Sequence, residues 1–262
     1  MLLETGHWYR AGRLPYYGDD QPNIITNVET TNAAVSDDAV TERIHAALDE
    51  HQLLPEKHVA DTGYGNSVLF VSSKTTYSIE LIGPTRGDNH WQATQGAGFA
   101  ARDVSIDWEQ QQAICPMGKW SNSWTPAVDK FKNDVIKITF TMTDGQVCPA
   151  VEQCTKATPP RRTITLRPQA HHEALLAGRQ RERTEAYKAE YGKRAGVEGT
   201  IAQSVRTTEV RRSRYVGRAK THVAHLMAAA AINIVRLLRW LGGEPKAQSK
   251  LSPFARRYQG AT

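Results

Sequence analysis

Residues 57–82 read KHVADTGYGNSVLFVSSKTTYSIELI, and their order decides the class of the fold. A short run, Lys57 to Ala60, predicts a strand that stops on Asp61 and the turn Thr62-Gly63-Tyr64. A helix fits Asn66 to Ser73, and Tyr77 to Ile82 reads as a further strand, ended by Gly83-Pro84. Upstream, Ile24, Ile25 and Val28 among Thr and Asn predict a strand from Asn23 to Glu29. Asp37-Asp38 then opens a helix, with Val40, Ile44, Ala47 and Leu48 at spacings of 3 and 4, broken by Pro55. Strand, helix, strand, helix, strand predicts an α/β layer with helices packed on a sheet.

Outward from this stretch the text changes. Residues 1–18 show no usable period and are expected to be irregular. After Gly83 the alternation stops, and short β-like pieces follow at Val104–Trp108, Ile136–Met142 and Thr163–Leu166. They predict a small β-rich insertion rather than a separate domain, because helix signals resume after it. Opposite charges at spacings of 3 and 4 predict one long exposed helix from Gln169 to Tyr191. Further helices are expected over Val197–Arg206 and Arg218–Trp240, with a loop-like tail beyond.

Composition bounds the function. At 262 residues, 40% hydrophobic and 23% charged, the chain can bury a sizeable core, which excludes general disorder, collagen and a disulfide-stapled miniature. Three cysteines fit a reducing cytoplasm, and Met1 to Gly18 lacks the pattern of a secretory signal. His225, Asn233, Arg236 and Arg239 make the apolar stretch Val223–Leu241 too polar for a membrane span. The net charge of +6 is unevenly spread. Residues 1–60 carry 4 Lys/Arg against 10 Asp/Glu, residues 61–157 carry 8 against 10, and residues 158–262 carry 21 against 7. Such a basic final third points to a polyanion, nucleic acid first; a solvated basic face is the plainer alternative.

Two carboxylates stand out by placement. Asp61 ends a strand before a glycine turn, where side chains at a sheet edge converge on ligands. Tyr191, Arg194 and Glu198 fall at offsets of 3 and 7, on one helix face. A metal-dependent phosphodiester centre needs such hard oxygen ligands around Mg²⁺. The same residues also suit a turn cap and a helix ion pair. Arg211, Arg212 and Arg214 beside Tyr215, with Lys220 following, suit phosphate binding and base stacking, or equally a salt-bridged helix entry. His222 and His225 are spaced as a metal pair but have no third ligand near in sequence, so a packing or DNA-facing role is expected.

The strings VADTGY (59–64), GVEGTIAQSVR (196–206), RRSRYVGRAKTH (211–222) and IVRLLRWLGG (234–243) resemble bacterial insertion-sequence transposases of the DDE type. The resemblance runs from about Asp19 to about Arg257 and includes the signature Tyr-x2-Arg-x3-Glu. It implies an α/β fold, a ribonuclease-H-like core in which two Asp and one Glu bind Mg²⁺ or Mn²⁺, and DNA as partner. The second acid matches Asp61 and the third Glu198, with Arg194 steadying Glu198 or a phosphate and Tyr191 packing beside the site. The implied organisation is a leader at 1–18, the first part of the core at 19–82, a β-rich, cysteine-containing insertion at 83–167, the helical remainder of the core at 168–242 and a tail at 243–262. A cytoplasmic, nucleoid-associated protein is implied, with element ends and target DNA as partners, and a second copy or a full-length transposase as protein partner.

Three departures qualify the match. The strand bearing the first Asp, and the one after it, have no counterpart, so the core is expected to be incomplete, as in a truncated or frame-shifted copy; Asp19 and Asp20 align with an acidic turn. The basic residue expected seven positions after the glutamate is Val205, and Arg206 comes one step, about 100°, late. Gly145 stands where relatives carry a cysteine, which leaves Cys115, Cys148 and Cys154 as a degenerate zinc site or as inert thiols. The expectation is a transposase by descent that lacks one catalytic acid, or a DNA-binding remnant.

Overall fold

The computed structural model describes residues 5–9, 22–32 and 34–244. Asp19, Asp20 and the tail from residue 245 lie outside them. In chain order the strands and helices are β1 (Thr5–Tyr9), β2 (Asn27–Thr31), α1 (Thr41–Glu50), β3 (Lys57–Val59), α2 (Ser67–Tyr77), β4 (Glu80–Ile82) and α3 (Trp91–Gln95). There follow β5 (Ser105–Asp107), β6 (Gln112–Ile114), β7 (Ser121–Val128), β8 (Asp134–Phe140), α4 (Met142–Gln146), α5 (Val151–Cys154) and β9 (Thr163–Leu166). Helices α6 (Gln169–Arg181), α7 (Glu185–Gly192), α8 (Ala195–Thr208) and α9 (Arg218–Leu241) complete the described chain. The described residues form two compact units, one drawn from the ranges 1–64, 72–83 and 184–262, the other from 65–71 and 84–183.

In the first unit β1 pairs antiparallel with β2, and β3 pairs parallel with β4. Residues 5–9 therefore form a strand where the sequence predicts an irregular leader; its five backbone positions follow β2 in register, from Thr5 opposite Thr31 to Tyr9 opposite Asn27. The single α/β layer is corrected too. Strand β2 and the β3–β4 pair lie in different sheets, and no strand among the described residues bridges them. Helix α1 buries Ile44 and Leu48, together with Val40 before it, against Leu53 and Leu54, as the 3-and-4 spacing dictates. Helix α9 covers β2, where Ala229 and Ile232 pack on Ile25 and Val28.

Polar groups lock that contact. The Asn233 amide accepts from the Ile25 N–H and donates to the Ile25 carbonyl, both at 2.8 Å, and so satisfies backbone groups just ahead of β2. Arg236 reaches the Asn23 carbonyl, Thr200 and Gln203, tying α9 to α8. By length and composition α9 does pass as a membrane-crossing helix, with mean hydropathy 1.4 over its most apolar window. Its polar residues argue against a span in the sequence, and the structure gives His225, Asn233 and Arg236 partners inside the unit.

The second unit is the β-rich segment with α6 beside it. Strands β7, β8 and β9 form an antiparallel sheet in that order, and β5–β6 a hairpin. Ile164 and Leu166 alternate inward from β9, and Ile138 and Phe140 from β8, around Val104 and Ala113, as period-2 patterning requires. Two strands, β6 and β7, are additions to the predicted set. Strand β7 reads SNSWTPAV, and its Pro126 is tolerated because β7 is an edge strand, paired only with β8.

The predicted helix over Gln169–Tyr191 is two. Thr184 leaves helical geometry (ψ 147°) and its side chain accepts from the Tyr187 N–H, so α7 starts afresh. Helix α6 belongs to the second unit and α7 to the first. Helix α2 runs four residues beyond the predicted end, through Tyr77, and leaves β4 only three residues.

Candidate active site

Asp61 follows β3 at its carboxyl end. A 3-10 turn begins there, with the Tyr64 N–H donating to the Asp61 carbonyl at 3.0 Å. One carboxylate oxygen accepts from the Thr62 N–H at 2.6 Å. The other accepts from Arg194 at 3.0 Å, across 133 residues of sequence. Gly83, at the matching end of β4, lies so close that a Cβ there would stand 3.3 Å from the Ala60 carbonyl. The acid therefore sits where two parallel strands end, the usual place for ligands in α/β sheets.

Arg194 immediately precedes α8, and Glu198 lies in that helix's first turn, where a negative charge suits the helix dipole. The guanidinium touches both acids, with Nη2 3.0 Å from Asp61 Oδ2 and Nη1 3.0 Å from Glu198 Oε1. Its carbon stands 5.9 Å from the centre of the Tyr191 ring, which itself stacks on Tyr187 at 5.7 Å. Lys57 pins α7 to β3 through Glu190 at 2.7 Å, and that hydrogen bond, with the nearby carboxylates, holds the ammonium above its ordinary pKa. Sequence reasoning does not find Lys57; its partner is 133 residues away and no local pattern marks it.

The structure thus brings together Asp61, Arg194, Glu198 and Tyr191. It does not bring the basic residues to them. Arg206 donates to the Ala202 carbonyl of its own helix. Arg211, Arg212, Arg214 and Lys220 lie in a wholly exposed run, residues 211–220, that also contains Arg218. Arg214 has a loose ion pair with Glu209 at 3.8 Å. His222 and His225 both meet the Thr30 hydroxyl, at 3.2 and 2.8 Å, so these side chains fasten α9 to β2.

The three cysteines are half-buried free thiols. Burial pushes the Cys154 thiol up; Arg162 opposes this, while Cys115 and Cys148 add to it. A raised thiol is a poor thiolate donor. Among the described residues no group of three or more His, Cys, Asp or Glu side chains is arranged to hold a metal. A Cβ at Gly145 would stand 2.3 Å from the Pro160 carbonyl oxygen, so a fourth thiol could not enter there without moving backbone.

Residues 114–238 match the family model described as the transposase DDE domain. Over that stretch the chain is similar to the transposase DDE domain. No curated protein and no solved structure matches the chain. The transposase domain as matched includes Tyr191, Arg194 and Glu198 and the basic run, and excludes Asp61, a shorter reach than the resemblance over 19–257. Transposases of this class use divalent metal, and the donor set here tests that directly. Two carboxylates with a guanidinium between them, and no third ligand among the described residues, do not fit a two-ion centre.

Proposed function

We propose that this protein is a DNA-binding member of the DDE transposases, with a ribonuclease-H-like core whose strand-cutting centre is, among the described residues, one carboxylate short. Asp61 and Glu198 correspond to the second and third acids, and Arg194 balances their charge in place of metal. The observation that carries the reading is Arg194 bridging the two acids at 3.0 Å each. DNA binding rests on the exposed run of residues 211–220, whose guanidinium groups can fork onto phosphates. The place of action is the cytoplasmic nucleoid, and the partners are DNA and, for catalysis, a transposase with a complete triad.

Two measurements on the full chain test this. Anisotropy of a labelled duplex should show weak, sequence-tolerant binding that falls steeply between about 50 and 200 mM salt, because released counterions drive it. Supercoiled plasmid should stay intact with Mg²⁺ or Mn²⁺. A flat salt response sinks the DNA reading. Metal-dependent nicking that disappears in Asp61→Ala or Glu198→Ala sinks the incomplete centre.

A further inference from the structure

Phosphate binding uses the cations of residues 211–220 and leaves two side chains over. Val216 is 92% exposed and Tyr215 54%, side by side in the loop between α8 and α9. Among the described large apolar residues none is more exposed than Val216. Arg211, Arg212 and Arg214 precede the pair, Arg218 and Lys220 follow it, and no acid interrupts the run. An apolar tip rimmed by charge marks a binding surface rather than a solvated loop.

The loop is fastened on its inner side. The Ser213 hydroxyl accepts from the Tyr215 N–H at 3.2 Å and lies 3.0 Å from the Tyr215 carbonyl. It also lies 3.1 Å from the hydroxyl of Thr221, which is buried in the first turn of α9 and itself stands 3.1 Å from the Gly217 carbonyl. Gly217 turns the chain into the helix with a φ of 97°, which a side chain would resist. The backbone is thus set before any ligand arrives, so little ordering entropy is lost on binding. Cations on both sides of an apolar tip match a groove, where two strands carry phosphates on either side of the base edges. Minor-groove proteins push aliphatic side chains between base steps in this way and kink the duplex, and a Tyr ring can stack on the base so uncovered. We propose that Tyr215 and Val216 form a wedge that enters the minor groove and opens one base step, so that this loop takes kinked or mispaired duplex in preference to straight duplex. The proposal rests on the DNA-binding reading above and adds a selectivity for deformed DNA that phosphate contacts alone cannot give.

Two labelled duplexes of equal length and charge, one fully paired and one with a single central mismatch, test it on the full chain. A mismatched step is easier to open than a paired one, so the unaltered protein should bind the mismatched duplex about tenfold tighter by anisotropy. A 2-aminopurine beside the central step of the paired duplex should brighten at saturation, as the base leaves the stack. Val216→Ser should bring the affinity ratio near one, and Val216→Leu should keep it. The side chain is exposed, so both variants should fold, as circular dichroism will show. Equal affinity of the unaltered protein for the two duplexes, an undiminished preference in Val216→Ser, or a 2-aminopurine signal that does not rise overturns the wedge. Salt-steep binding to both duplexes in that case leaves the DNA-binding reading standing, whereas a lack of salt-dependent binding removes both. Flotation with phosphatidylserine vesicles, together with equal affinity for the two duplexes, would assign the tip to a membrane surface and also overturns it.

Discussion

One guanidinium serves two carboxylates at Arg194, and the acids' side chains remain 54% and 62% exposed. Ion pairs that exposed contribute at most about 1 kcal/mol, because water screens them and long side chains must be held still. Arg194→Ala should therefore shift thermal stability little while raising Mn²⁺ affinity several-fold by calorimetry, since it removes a competing cation. Unchanged Mn²⁺ binding would show that the guanidinium does not guard the acids. His45 and His58 present the opposite case. Their rings share a 2.8 Å hydrogen bond in the first unit's interior, and Tyr77 packs edge-on to His45. Burial lowers both; His58 falls from 6.5 to about 3. The unfolded chain then binds more protons than the folded one, so stability falls as pH drops below about 6.5, with the loss continuing toward about 3. His58→Leu should flatten that acid limb, by at most a few kcal/mol across the window, in urea unfolding followed at several pH values. An acid limb of unchanged slope would contradict the buried neutral pair.

Short elements depend on the glycines that join them. A Cβ on Gly65 would stand 1.7 Å from the Pro84 carbonyl oxygen, whereas at Gly63 nothing lies within 4 Å. Gly65→Ala should cost about 1–3 kcal/mol through forced backbone movement, and Gly63→Ala should be near neutral; thermal melts of the two variants check the contrast. These two glycines look alike in sequence, and only their neighbours differ. The same limit separates what is legible from what is not. Ile44 and Leu48, or Ile164 and Leu166, announce their elements because periodicity is local. Asp61, Arg194 and Glu198 are legible as residues, by strand-end and helix-face placement. Pro126 hides β7, since an edge position is a property of the sheet and not of the strand. Charge pairs continue across Arg181–Glu185, so only the Thr184 cap reveals the break between α6 and α7. Residues 5–9 form a strand through a partner some twenty residues away, and no window over them alone contains that information.

At the scale of the molecule, the run of residues 211–220 carries five Lys/Arg and has no buried member. Replacing Arg211, Arg212 and Arg214 together by Ala should reduce the slope of log affinity against log salt by about 3, near one for each phosphate no longer neutralised. A slope that does not move would place the DNA elsewhere on the surface. The packing of α9 on β2 has a further consequence during synthesis. Ile25 and Asn233 are bonded across 208 residues, so the apolar side of β2 leaves the ribosome long before the helix that covers it. At about 5–20 residues per second that interval is on the order of 10–40 s. Throughout it the nascent chain presents Ile25 and Val28 to whatever else is being made nearby, while the second unit, whose strands all lie between residues 105 and 166, already has what it needs to close its own core.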